Sequence, residues 1–258
     1  MSGPLFGAAL VAHRRQQNLA GGPGDARAVT PSTRAFGLAI DKQRQQVERL
    51  PLLSCSRAGL LEVAAALDGA EVAALAVWID EPAEELGALL ALSEASSVPV
   101  LRCDPLLEEF QLYQSRAAGC DAVLLSAALL GAQLERLVSV ARGTHMAACV
   151  FCASAAEVAE ATLARADVFA LPCGPAGIDP ALLAALPRRA LVLAVPEAEQ
   201  AADRAGSGFV RDPAKSARSI DALVPPLLGL ADAVLDAPLA LARDPAAAFR
   251  AALAADAG

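Results

Sequence analysis

The stretch Val98–Leu130, VPVLRCDPLLEEFQLYQSRAAGCDAVLLSAALL, holds two short apolar runs separated by a segment of helix length. In VPVLRC and DAVLLS the apolar residues are continuous rather than alternating, as strands buried on both faces of a parallel sheet require. Leu106–Ala118 between them is amphipathic, and a second amphipathic segment, Ala128–Arg142, follows. The order strand, helix, strand, helix is the repeating unit of α/β architectures.

The same rhythm continues on both sides. Further apolar runs begin at Pro51 (PLLSC), Ala74 (ALAVWI), Ala147 (AACVF), Asp167 (DVFAL), Ala190 (ALVLAV) and Asp232 (DAVLD), which makes eight. Glu81–Glu94 and Ala153–Ala164 supply helical stretches between them. Eight units at a fairly constant pitch predict a single closed (β/α)8 TIM barrel. An open doubly wound sheet is the alternative, but no Gly-rich phosphate loop follows the first run. Residues 1–32 are expected to form an N-terminal helix and loop, the loop being Leu19–Ser32 (LAGGPGDARAVTPS), and residues 33–258 the barrel. A second helix is predicted across Thr33–Leu50. The interval Pro196–Ala231 exceeds one helix and its turns, so either an enlarged loop follows the seventh strand or that strand lies elsewhere. Pro245 suits the start of a closing helix.

Composition narrows the function. The chain has 258 residues, 55% hydrophobic and 19% charged, with a formal net charge of −8. That apolar fraction excludes intrinsic disorder, and the acidic balance argues against a nucleic-acid or anionic-membrane surface. No apolar run approaches the roughly 20 residues that a bilayer demands. Arg14 and Arg15 follow the first apolar stretch rather than precede it, the reverse of a secretory signal. Six cysteines at irregular spacing make no disulfide scaffold, and a reduced, cytoplasmic protein is expected. The two lysines are Lys42 and Lys215, so amine chemistry is short of candidates.

The block VPVLRCDPLLEEFQLYQSRAAGCDAVLLSAALL resembles the third and fourth strand units of indole-3-glycerol-phosphate synthase, a family that typically reads LPVLRKDF, then a Tyr-Gln helix, then ARAAGADAVLLI. ADAVLDAPLALARDP at the eighth unit is similar to the family's ADAVLVGESLM and its following DP. RAFGLAI and LLSCSRAG stand where the family has its approach to the first strand and IAEVKKASPS. The resemblance spreads over residues 34–250 and implies a barrel lyase of tryptophan biosynthesis by ancestry.

The same resemblance implies a catalytic set that this chain departs from. The family uses a strand-3 lysine as general acid, glutamates on strands 1 and 5, a second lysine on strand 1, and a strand-6 asparagine and arginine. The counterparts read here are Cys103 for the strand-3 lysine, Ser54 and Ser56 on strand 1, Val150 on strand 5, and Pro172 and Gly174 on strand 6. A valine moves no proton, and a neutral thiol does not replace an ammonium. Losing one such group costs about two to four orders of magnitude in rate. The anion cradle also departs: Ala237-Pro238-Leu239 stands where Gly-Glu-Ser is expected, and proline removes a backbone donor. After the seventh strand either Pro196-Glu197 or Ser207-Gly208-Phe209 aligns with the family's Ser-Gly-Ile, the second keeping a weak phosphate site at Ser207 and Gly208. The loop after the first strand is shortened by roughly a dozen residues, a length at which lids are built.

The expectation is therefore a non-catalytic relative serving as a binding or protein-interaction module, with an unknown protein partner or a small apolar or aromatic ligand, a possible homo-oligomer, and no cofactor or metal. Two alternatives stand beside it. One is a repurposed enzyme acting through Ser54, Ser56, Asp80 and Cys103, with Trp78 and Leu125 completing a pocket. A mouth plugged by Trp78, Leu125 and Val150 would argue against it. The other is a structural subunit of a larger assembly. The cysteines read as small buried hydrophobes, since Cys149 and Cys152 should face opposite ways on one strand and no histidine stands near Cys103 to activate it. Trp78 either floors a pocket or fills the space of a lost substrate. Arg102 and Asp104 should point away from Cys103 and pair in the helix layer.

Overall fold

The computed structural model describes residues 8–21, 29–196, 224–237, 239 and 242–256. Eight parallel strands close on themselves: β1 (Glu48–Ser54), β2 (Leu75–Trp78), β3 (Val100–Arg102), β4 (Ala122–Ser126), β5 (Ala147–Phe151), β6 (Val168–Gly174), β8 (Leu191–Pro196) and β9 (Ala233–Asp236). The pairing of β5 with β6 completes the ring. A two-residue strand, β7 (Gly177–Ile178), folds back antiparallel on the end of β6. The run at Ala190 is indeed the seventh barrel strand, because β8 pairs in parallel with both β6 and β9.

Helices α3 (Leu60–Asp68), α4 (Pro82–Ala95), α5 (Glu109–Ala117), α6 (Ala127–Leu130), α7 (Leu134–Gly143), α8 (Ala155–Leu163), α9 (Pro180–Ala185) and α10 (Pro245–Asp256) follow the strands. Two preceding helices, α1 (Ala8–Gly21) and α2 (Phe36–Ile40), lie before β1.

Alternation along each strand sorts the side chains into two apolar sets. Leu50, Leu52, Ala74, Ala76, Leu101, Ala122, Leu124, Cys149, Ala170 and Leu193 belong to the set that fills the cylinder. Leu53, Val77, Val100, Val123, Val150 and Val192 pack outward against the helices. Every strand is thus buried on both faces, which explains its unbroken apolar run.

At the N-terminal ends of the strands one device recurs. Asp121, Asp167 and Asp232 each stand just before an even-numbered strand of the ring and accept a backbone N–H from the start of the preceding strand: Val100 at 3.0 Å, Ala148 at 2.9 Å and Val192 at 2.7 Å. Arginines neutralise them. Arg34 and Arg116 reach Asp121 at 2.8 and 3.1 Å, Arg142 reaches Asp167 at 3.2 Å, and Arg44 reaches Asp232 at 3.5 Å.

Two expected helices differ. The one predicted across Thr33–Leu50 is confined to Phe36–Ile40, whose Phe36 and Ile40 plug the floor of the cylinder beside Leu50. Gln43 and Arg44 then take left-handed conformations (φ 54° and 57°) that stop a helix. Gln45, Gln46 and the buried Val47 follow before the strand opens at Glu48, three residues ahead of the apolar run at Pro51. Ala128–Arg142 is likewise divided: Gly131, at φ 47° and ψ −122°, turns the chain between α6 and α7, in a region closed to residues with a Cβ.

Candidate functional site

In barrels of this kind chemistry sits at the C-terminal ends of the strands, where inward side chains from several strands meet. Read around the ring, those positions are Ser54, Trp78, Cys103, Ser126, Phe151, Pro172, Val195 and Ala237. Trp78, Cys103, Phe151, Val195 and Ala237 belong to the interior cluster. Ser54, Ser126 and Pro172 share the face of Leu52, Leu124 and Ala170 by the two-residue period. None carries a formal charge.

Strand register places the expected residues unevenly. Trp78 is 1% exposed and its indole N–H donates to Asp80 Oδ1 at 2.9 Å, while Asp80 itself lies exposed beyond the strand. Cys103 is fully buried one step past β3. Burial, then the neighbouring Cys149 and the Asp104 carboxylate, pushes its thiol well above the ordinary range, so it is held protonated and unreactive. Ser54 and Ser56 hydrogen-bond through their hydroxyls at 2.7 Å, but Ser56 lies beyond the end of β1. The inward pair on that strand is therefore Leu52 and Ser54 rather than Ser54 and Ser56. Pro172 and Gly174 close β6 on its inward side.

Two assignments are corrected outright. Leu125 and Val150 face the helices, not the cylinder. A one-residue shift on β4 and β5 exchanges the faces, and the inward residue at the end of β5 is Phe151. The mouth is filled by Trp78 and Phe151 instead. Ser207, Gly208, Glu197 and Pro238, invoked for the anion cradle, lie outside the described residues. Cys149 points inward and Cys152 outward. Burial raises the Cys152 thiol to about 12. Among the described residues no group of three or more His, Cys, Asp or Glu could hold a metal, and no helix is long and apolar enough to cross a membrane.

Charge at this end of the molecule lies outside the cylinder. Arg102 and Asp104 pair behind Cys103 at 2.7 and 2.8 Å, both fully buried. A second guanidinium joins them from α1: Arg14 Nη2 lies 3.0 Å from Asp104 Oδ2 and donates to the Ile79 carbonyl at 2.5 Å. Burial alone would lower the pKa of Arg102, but its close pairing with Asp104 raises it. For Arg14 the desolvation outweighs the attraction of Asp104, and its pKa falls. Gln17 donates to the Asp80 carbonyl at 3.0 Å and to Glu81 at 2.6 Å, and His13 meets Glu81 at 3.0 Å. Leu10 packs against the interior cluster. The helix α1 therefore lies over the β2–β3 side of the mouth. Sequence reading missed Arg14, and the one available signal was the spacing of Leu10, Val11, Arg14 and Gln17 along a helix face.

Two grooves among the described residues, of about 580 and 330 Å3, lie at the other end, beside Arg34, Arg116 and Asp121 and beside Tyr113 and Thr144.

Closed parallel strands, helices outside and a ring of inward side chains at the strand ends define a (β/α)8 barrel of the kind whose active site is built at that ring. Solved barrels share the fold: orotidine 5'-phosphate decarboxylase from Pyrococcus horikoshii superposes with a TM-score of 0.54 at 12% identity, covering 81% of this chain and 100% of that one. Thiamine phosphate pyrophosphorylase from Pyrococcus furiosus gives 0.53 at 14%, over 83% and 97%. Residues 56–171, from the end of β1 into β6, match the family model of indole-3-glycerol phosphate synthase. The synthase of Neisseria meningitidis serogroup C is 48% identical over 88 residues, 33% of this chain and 34% of that one. The synthase of Azoarcus sp. is 35% identical over 108 residues, 40% of each chain. Over these residues the chain is similar to the indole-3-glycerol phosphate synthase family. Its match spans about a third of the length of the meningococcal relative.

Proposed function

We propose that this barrel is a non-catalytic relative of the synthases, in which residues 33–258 form the barrel and residues 1–32 an extension, and that it serves as a binding or protein-interaction module. The observation that carries the reading is the uncharged ring: Ser54, Trp78, Cys103, Ser126, Phe151, Pro172, Val195 and Ala237 offer no acid, base or ammonium to a substrate inside the cylinder. The family's reaction needs a proton donor and acceptor held at that ring, and general acid–base groups act only within hydrogen-bond reach. Cys103, at the lysine position, is kept as a neutral thiol. All six cysteines are buried, and Cys55, Cys103, Cys120, Cys149 and Cys152 are free thiols, which fits a reducing compartment such as the cytoplasm.

The test is an assay with the anthranilate-derived ribulose phosphate on which the family acts. No turnover above the enzyme-free control is expected. Turnover abolished by Cys103→Ala or Asp80→Asn would overturn the reading.

A further inference from the structure

Four of the six buried side-chain nitrogen and oxygen atoms without a hydrogen-bond partner among the described residues sit on α1: Arg14 Nε and Nη1, Gln17 Oε1 and Asn18 Nδ2. Native interiors leave few such atoms, so their concentration on one short helix marks a poorly satisfied contact. The barrel side of this contact consists of acceptors, namely the Ile79 and Asp80 carbonyls and the Asp104 and Glu81 carboxylates. Donors come from the helix: Arg14, Gln17 and His13. Apolar anchoring is slight, with Val11 buried, Leu10 half-buried and Leu19 88% exposed. The barrel wall beneath is different in kind, since Arg102 and Asp104 are joined by two short hydrogen bonds and Arg102 also reaches Ser115 at 3.1 Å.

We infer that α1 is a displaceable cover over the β2–β3 side of the mouth, fastened by Arg14 and its hydrogen-bonding neighbours, which lifts while the barrel stays folded. Lifting exposes Trp78, the buried aromatic whose indole N–H is bonded to Asp80 beside the clasp. The inference concerns access to the mouth and holds whether or not the barrel catalyses a reaction, so its failure leaves the functional reading untouched.

Trp78 is the sole tryptophan and reports on the cover directly. In the full-length chain, hydrogen exchange should show the amides of residues 12–20 opening at least about a hundredfold more readily than those of β2–β5, as sub-global opening requires. Arg14→Ala should raise acrylamide quenching of Trp78 and tryptic cleavage after Arg15 about tenfold, with strand protection unchanged. Gln17→Ala, at a half-buried position that folding tolerates, should do the same to a lesser degree. Helix amides that exchange only together with the strands would overturn the inference. So would cleavage and quenching that stay at wild-type values in both variants.

Discussion

The two ends of the cylinder treat charge in opposite ways. At the N-terminal end Asp121 accepts from Ser32 Oγ at 2.6 Å and from the Val100 N–H, and it lies between Arg34 and Arg116. Arg34 goes on to donate to Ser93 and Gly119, and of the guanidinium nitrogens around Asp121 only Arg116 Nε is buried without a partner among the described residues. At the C-terminal end no described interior side chain carries a formal charge, and the guanidinium that approaches from α1 keeps two nitrogens unpartnered. Charge is worth most in a barrel where it is fully hydrogen-bonded, and it costs most where it is buried without partners. One end therefore secures the fold, while the described inward side chains at the other are neutral. Architecture and chemistry in such a barrel depend on different residues.

The contrast can be broken most severely at Asp121. Asp121→Ala leaves Arg34 and Arg116 facing each other and frees the Val100 N–H, and it should cost about 4 kcal/mol in chemical denaturation. A loss below about 1 kcal/mol would mean that the network at the closed end is ornamental. At the open end, Cys103→Lys places an ammonium in a dry interior with no carboxylate facing it. A cost of about 3 kcal/mol at pH 7 is expected. Burial depresses the pKa of such a lysine, so the penalty should shrink as pH rises through its folded value toward the ordinary lysine range. A pH-independent cost would point to crowding rather than charge. The smallest effect belongs to the rim. The hydrogen bond from His13, opposed by desolvation and helped by Gln17, holds Glu81 below the ordinary carboxylate range. A depressed carboxyl contributes above its unfolded pKa and stops contributing as pH falls through its folded one. Quenching of Trp78 should therefore rise modestly on acidification below the usual glutamate range, and Glu81→Gln should remove that rise.

Much of the architecture was legible because each strand, buried on both sides, announces itself as a continuous apolar run. The same property hid the register. In AACVF and DAVLLS both faces are apolar, so no polar alternation says which residues point inward, and Leu125 and Val150 were assigned to the wrong side. Where a strand began with charges the pattern failed altogether. Glu48 and Arg49 read as helix surface, yet Arg49 is neutralised by Asp236 at 3.2 Å and by Asp256 at 3.0 Å, partners about two hundred positions away in sequence. Arg14 escaped for a similar reason, since its acceptors lie on the loops after β2 and β3. Cys103 was placed by the likeness of VPVLRCD to the family's LPVLRKDF, and it lies buried just past the end of β3. The neutral character of the ring was legible in outline, and its exact membership was not.

Asp121, Asp167 and Asp232 act as stitches, each joining a strand to the next one in the ring: β3 with β4, β5 with β6, β8 with β9. The wall is thus sewn in couples. Scissors applied between couples, as at Gly131–Gln133, would leave every stitch whole, whereas a new pair of termini opened inside α5 would leave one to hold across a gap. Circular permutants of this chain should sort themselves along that seam.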